Sequence, residues 1–217
     1  MNLGLSADEV LTTTRSVRKR LDLERPVDRH VIEECLDIAL QAPTGSNAQG
    51  WQWMFVTDAA KKQTIADYYG SIYDKYTNRA DQPTYEDGDP RTEQRPKIMQ
   101  SSRHLREVFH QVPVMLIPCI QRPARLDKGA STMEQAGAWG SLLPAVWSFM
   151  LALRERGLGS AWTTLHLPHE KEVAELLGIP YDTVTQAGLF PIAYTIGTDF
   201  KLAKRLPGAE LSHWNEW

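Results

Sequence analysis

Apolar positions along this chain recur with two periods, and the switches between them mark out its elements. Val31, Ile32, Cys35, Leu36 and Ala39 fall on one face at helical spacing, which predicts an amphipathic helix opened by Asp28 and closed before Pro43. Ser6-Ala7-Asp8-Glu9 reads as a capping box for a short helix ending near Thr14. A helix from Asp58 carries a stripe of Ile65, Tyr68 or Tyr69, Ile72, Tyr73 and Tyr76. Pro168 to Leu177 is a further helix, closed by Gly178 and Pro180. Short apolar runs predict strands at Trp53–Val56, Val112–Pro118, Gly159–Leu165 and Gly188–Gly197. Asn78 to Gln100 breaks both periods. Its polar, proline-bearing middle predicts a surface loop or lid, with a short helix around Ser101–His110 after it.

Thr132 to Arg156 is the longest helical run. Ala136 and Gly140 are four apart, Gly137 and Ser141 repeat the offset, and Leu142, Leu143, Val146, Phe149, Met150 and Leu153 continue with bulk. Such a helix either packs against a second copy of the chain or forms the chain's own central core element.

Composition narrows the class. The 217 residues suit a single domain, with 42% apolar residues for a core and a net charge of -3 that argues against nucleic acid. The runs Val112–Ile120 and Leu142–Leu153 are too short for a bilayer, and Met1 to Val10 carries no lysine or arginine, so neither membrane nor secretion is expected. Cys35 and Cys119 read as buried thiols of a reducing cytoplasm. GxSxG, HExxH, Walker A and GxGxxG motifs are all absent. His166-x-x-His169 straddles Pro168 and is a poor metal pair, so no metal is expected.

The remaining chemistry lies in clusters. Arg15-Ser16-Val17-Arg18-Lys19-Arg20 places four cations in six residues of an acidic chain, and Lys204-Arg205 forms a second basic cluster. Guanidinium forks with a hydroxyl between them suit a phosphate. Ala42-Pro43-Thr44-Gly45-Ser46-Asn47-Ala48-Gln49-Gly50-Trp51 is dense in small hydrogen-bonding side chains, with Gly45 and Gly50 expected to take backbone conformations closed to other residues. Thr163-Thr164 adds a second small-polar loop. One phosphate plus one hydrogen-bonding ring suits this inventory. A phosphorylated redox cofactor, supplying its own chemistry, accounts for the missing catalytic side chains.

In these pieces the chain resembles the FMN-dependent nitroreductase family. The matching stretches are Arg15–Arg18, Ala42–Trp51, Gly157–Thr164 and Lys204-Arg205-Leu206-Pro207, in the family's order and over nearly the whole chain. It departs from the family at Thr14, Arg20, Ala203 and Leu165, where an arginine, an aromatic residue, the start of the basic tail and a glycine are usual. The resemblance implies an α+β fold with a central, mainly antiparallel sheet flanked by helices, and a homodimer binding FMN between subunits. It implies Arg15, Ser16 and Arg18 at the phosphate, ribityl chain or pyrimidine edge. Pro43, Thr44, Gly45 and Asn47 would come from the partner subunit. Trp162, Thr163, Thr164 and Leu165 would lie along the isoalloxazine, and Lys204 and Arg205 would close the phosphate site. The implied activity is that of an NAD(P)H oxidoreductase passing hydride through flavin N5 to a small acceptor such as a nitroaromatic or quinone. A flavin store or sensor without turnover, and a same-family enzyme of different reductive task, are the alternatives.

Overall fold

The structure, a computed structural model, describes residues 2–86, 88–123, 125–126 and 129–217. Met1 at the N-terminus and Asp87, within the expected loop, lie outside these. Helices α1 (Ala7–Thr13) and α2 (Arg29–Ala39) precede strand β1 (Trp51–Val56). Helices α3 (Ala59–Thr77) and α4 (Pro90–Val108) then lead to β2 (Val114–Gln121). Helix α5 (Thr132–Glu155), β3 (Leu158–Ser160), α6 (Glu170–Leu177), β4 (Val184–Gln186) and β5 (Phe190–Tyr194) complete the order. The sheet runs β1-β2-β5-β3, with β4 also on β2, and every strand pair is antiparallel. The α+β expectation holds.

Strand β2 shows why the sheet is apolar on both faces. Val114, Leu116 and Ile120 enter one core with α2 and α5, while Met115, Ile117 and Cys119 enter a second with α3, α6 and the end of α4. Alternation of side chains along a strand sends neighbours to opposite faces. Strand β5 does the same, with Phe190, Ile192 and Tyr194 in the first core and Ala193 in the second. The result is a sheet between two helical layers.

Local chemistry sets the element ends. Ser6 and Glu9 form the expected capping box on α1, and Ser131 with Glu134 forms another on α5. Asp58 caps α3 through the Lys61 backbone N–H. Asp28 stands at the N-cap of α2, but its side chain makes no capping bond. The irregular stretch expected to reach Gln100 stops at Asp89. Asp89 accepts from the Arg91 N–H at 2.8 Å, and Pro90 occupies the first turn, where a missing N–H costs nothing. The prolines and charges that resemble a loop are therefore a helix start, and α4 tolerates Pro96 within its second turn.

Helix α5 is resolved in favour of the chain's own core for its bulky residues. Ser141, Leu142, Val146, Phe149, Met150 and Leu153 are all buried. Among the described helices it has the length and apolarity of a membrane span, and half of that stretch is buried inside the chain. A different stripe stays open. Met133, Gly137, Gly140, Pro144 and Trp147 recur at offsets of three and four and are exposed, and a side chain added at Gly137 or Gly140 would meet nothing.

Candidate functional site

The first part of the site is built on β3. After α1 ends at Thr14, the chain runs alongside β3: Ser16 bridges Ser160 in parallel, and the Val17 N–H donates to the Ser160 carbonyl at 2.9 Å. Val17 is buried, which anchors Arg15 and Arg18 on either side of it. Gly159 makes this approach possible, since a Cβ there would fall 2.8 Å from the Val17 Cβ and 2.8 Å from the Thr195 methyl.

Past β3 the chain turns into Trp162–Leu165. Thr163 exchanges backbone hydrogen bonds with Leu189 at 3.1 and 2.8 Å, and its hydroxyl donates to the same carbonyl at 2.7 Å. The Trp162 indole N–H donates to the Ala187 carbonyl at 3.2 Å and its ring packs on Phe190. Gly188 has to lack a side chain, because a Cβ would sit 2.5 Å from the Trp162 indole nitrogen. Trp162 through Leu165 and Arg18 line a cleft of about 300 Å³, closed on its other side by Tyr69, Tyr73 and Tyr76 of α3 and by Ile98, Met99 and Ser102 of α4. Burial raises the Tyr69 phenol well above its ordinary pKa, so it stays a donor.

Behind this loop lies a buried polar chain. His166 is fully buried, and its Nε2 bonds Gln186 Oε1 at 3.1 Å. The Gln186 amide nitrogen donates to the Glu170 carbonyl at 3.0 Å, which fixes the amide orientation and makes His166 Nε2 the donor. Glu170 takes the Gln186 N–H at 2.8 Å and an ion pair with Arg125 at 2.5 Å. Burial pushes the His166 pKa down to about 4, so the ring is neutral, and its Nδ1 has no partner. Among the described residues no group of three or more metal-ligating side chains forms.

The second part is the cation set. Burial lowers the Arg15 pKa first, and the charge of Arg205 lowers it further. The two guanidinium groups therefore sit within electrostatic reach of each other. Neither has a carboxylate partner among the described residues, and the one bond of Arg205 is to the neighbouring Lys204 carbonyl at 3.4 Å. Lys204 has only a loose, exposed contact with Glu93 at 3.7 Å. Ser160 Oγ, lining the same small cleft as Arg15, is buried without a partner. Like charges gathered without an acid suit a phosphate, whose oxygens accept from several donors at once. The residues present fit the terminal monophosphate of a flavin mononucleotide.

The third part stands apart. Pro43, Thr44, Gly45 and Asn47 lie on a loop docked on α5, where the Gly45 N–H donates to Ser141 Oγ at 3.0 Å. None of them lines the cleft that holds Arg18 and Trp162–Leu165. Gly45 and Gly50 were expected to supply unusual backbone angles; instead Ser46, Asn47 and Gln49 hold left-handed conformations, with φ of 53°, 52° and 47°. Gly50 is needed for room, since a Cβ there would lie 2.8 Å from the Gln121 carbonyl. Three left-handed non-glycine residues in four positions store strain of a kind that gathers at ligand sites.

The α4 wall of Ile98, Met99 and Ser102 escapes the sequence reading. Its signal was the Asp89-Pro90 pair, a cap followed by a first-turn proline.

Residues 11–194 match the Nitroreductase family. A 4-nitrobenzoate reductase of Nocardioides sp. (strain LMS-CY) is 26% identical over 205 residues, covering 84% of this chain and 78% of its own. The FMN and NADPH-dependent nitroreductase NfnB from sphigopyxis sp. strain HMH superposes with a TM-score of 0.69 at 23% identity, over 98% of this chain and all of that one. Oxidised iodotyrosine deiodinase bound to FMN and 3-iodo-L-tyrosine gives 0.70 at 22% identity, over 97% and 99% of the two chains. At these identities the structural likeness is one of fold. An antiparallel sheet between helical layers is the architecture this chain shares with these proteins. The chain belongs to the nitroreductase family.

Proposed function

We propose that the protein is a homodimeric, cytoplasmic FMN-dependent NAD(P)H oxidoreductase acting on a small acceptor such as a nitroaromatic or quinone. The observation that carries this reading is the Arg15–Arg205 pair without a carboxylate partner among the described residues, Arg205 lining a cavity that shares Tyr76, Ile98 and Met99 with the Trp162–Leu165 cleft. Bound FMN supplies the transfer of hydride between nicotinamide and acceptor. Arg15, Arg205 and Lys204 hold the phosphate, with Ser16 and Arg18 toward the ribityl chain or pyrimidine edge. Trp162, Thr163, Thr164 and Leu165 flank the ring system and are fixed against β5. Reduction of a nitro to a nitroso group takes NAD(P)H and one proton and releases NAD(P)⁺ and water. Among the described residues no acid or histidine lines the cleft, so the proton comes from solvent or a tyrosine hydroxyl.

The loop of Pro43, Thr44, Gly45 and Asn47 joins a flavin site from a second copy, because its own chain carries it away from the cleft. The open α5 stripe of Met133, Gly137, Gly140, Pro144 and Trp147 is where that copy's backbone approaches closely. The two cysteines, free and buried with pKa values raised by burial to about 11 and about 12, support a reducing compartment.

The test is direct. Purified protein should be yellow and release FMN on heating. FAD, or no flavin after reconstitution, refutes the reading. Bleaching by NAD(P)H with colour restored by an acceptor separates an enzyme from a flavin store.

A further inference from the structure

A second cavity adjoins the cleft. It measures about 510 Å³ and shares Tyr76, Ile98 and Met99 with it. Tyr85 and Leu206 extend this apolar wall, while Arg91, Arg95, Lys204 and Arg205 supply charge. Among the described residues no carboxylate lines it. Tyr76 and Ile98 are 40% and 50% exposed, so this wall is open to a ligand.

The four cations are not equivalent. Arg91 is clasped by Asp89, with Nη2–Oδ2 at 2.6 Å and Nε–Oδ1 at 3.0 Å, and its charge is answered. Lys204 is exposed and loosely paired. Arg205 belongs to the phosphate cluster. Arg95 differs from all three. It is half-buried, and both its bonds go to neutral oxygens: Nη1 to the Pro83 carbonyl at 2.9 Å and Nη2 to Gln82 Oε1 at 2.5 Å. Gln82 is itself oriented, its amide nitrogen donating to the Tyr76 carbonyl at 2.9 Å. Arg95 is therefore aimed and immobilised without being neutralised, and it keeps three N–H donors free. An oriented fork with unspent charge, beside an aromatic and aliphatic wall, matches a planar ring bearing a carboxylate.

We propose that the Tyr76–Arg95 side of this cavity is the acceptor's subsite, its Lys204–Arg205 side being left to the flavin phosphate, and that Arg95 is the specificity-determining residue, selecting aromatic carboxylates of the benzoate type over neutral aromatics. The proposal rests on the reading of the adjoining cleft as the flavin site. The ring of the acceptor lies against Tyr76, Ile98 and Met99, and its carboxylate meets Arg95. The Pro83 and Gln82 contacts make these two residues the holders of Arg95.

The experiment compares 4-nitrobenzoate with nitrobenzene as acceptors for the FMN-loaded enzyme and its R95Q and R95K variants, with calorimetric titration of the non-reducible probe benzoate alongside. R95Q should lower kcat/KM for 4-nitrobenzoate about ten- to hundredfold, mainly through KM, and weaken benzoate binding to match. Nitrobenzene turnover should stay within about twofold, and R95K should recover part of the loss because charge returns without the fork. Equal losses with both acceptors would make Arg95 merely structural and overturn the proposal. So would an unchanged benzoate affinity, or an effect confined to the KM of NADPH, which would assign the cavity to the nucleotide's phosphate. Failure of the flavin reading itself looks different: the wild-type protein would then reduce neither acceptor.

Discussion

Two parts of the candidate site are built on opposite terms. The β3 part, Arg15–Arg18 with Trp162–Leu165, is explained by its own chain: Val17 and Ala161 are buried, and Gly159 and Gly188 make room for the contacts that hold it. The Pro43–Gln49 loop is not. It is largely exposed and strained at Ser46, Asn47 and Gln49, and its tie to the rest of the fold is the Gly45–Ser141 bond. Strain in an ordered loop persists where its surroundings over-determine it. In the proposed dimer those surroundings would be a second subunit and a ligand, whereas the β3 part is held by contacts within its own chain.

The largest effect is expected on α5. In G140E, a carboxylate placed on the open stripe would be buried unpaired between subunits, at a cost of about 3–5 kcal/mol. Sedimentation and flavin absorbance followed together should show the dimer and the flavin lost in step. A stable monomer with stoichiometric FMN contradicts the partner assignment of the loop.

His166 probes the β3 part. Its folded pKa is depressed to about 4 from an ordinary 6.5, so the unfolded chain binds more protons in that window. Stability from this group is present in full above pH 6.5 and is lost as pH falls toward 4, by about 2–4 kcal/mol over the window. Chemical denaturation at both ends of the window should show the fall, and H166Q should remove that component. An identical fall in the variant places the effect elsewhere.

Arg205 separates binding from folding. It is exposed, so R205A should leave the unfolding midpoint unchanged while weakening FMN by roughly ten- to hundredfold, the value of a charge-assisted bond of about 1.5–3 kcal/mol. Fluorescence titration with FMN measures this, and an unchanged dissociation constant makes Arg205 a solvated tail residue. The smallest effect is expected for S46G. Relief of the left-handed strain and the added freedom of the unfolded chain nearly offset, so stability should move by less than about 1 kcal/mol. Flavin affinity should still fall as the loop loosens, and unaltered affinity removes the loop from the site.

Much of this arrangement was legible from residue types. The Ser6–Glu9 capping box, the α2 face and the two-faced β2 follow from local pattern, and the clusters at Arg15–Arg18 and Lys204-Arg205 from charge alone. Four things were not. Strand β4 is only Val184–Gln186, too short for a period to register. Helix α4 begins among prolines and charges, and its polar surface hides an apolar line of Ile98, Met99 and Leu105. Which α5 residues stay open depends on how the sheet seats the helix: Leu142 and Val146 go in while Gly140 and Trp147 stay out, a rotation that small and apolar residues together leave undetermined. Burial and strain at the loop are likewise tertiary properties, invisible until Ser141 is seen against Gly45.

On the proposed function, the cationic cluster and the adjoining cleft hold a flavin that turns over. Its most direct test is anaerobic titration of the purified yellow protein with NADPH, followed by addition of 4-nitrobenzoate, with visible absorbance recorded throughout. About one equivalent of NADPH per flavin should bleach the colour and the acceptor should restore it, since a hydride carries the two electrons a flavin accepts. A flavin that stays oxidised under excess NADPH and NADH, or a protein that binds no FMN at all, would contradict it.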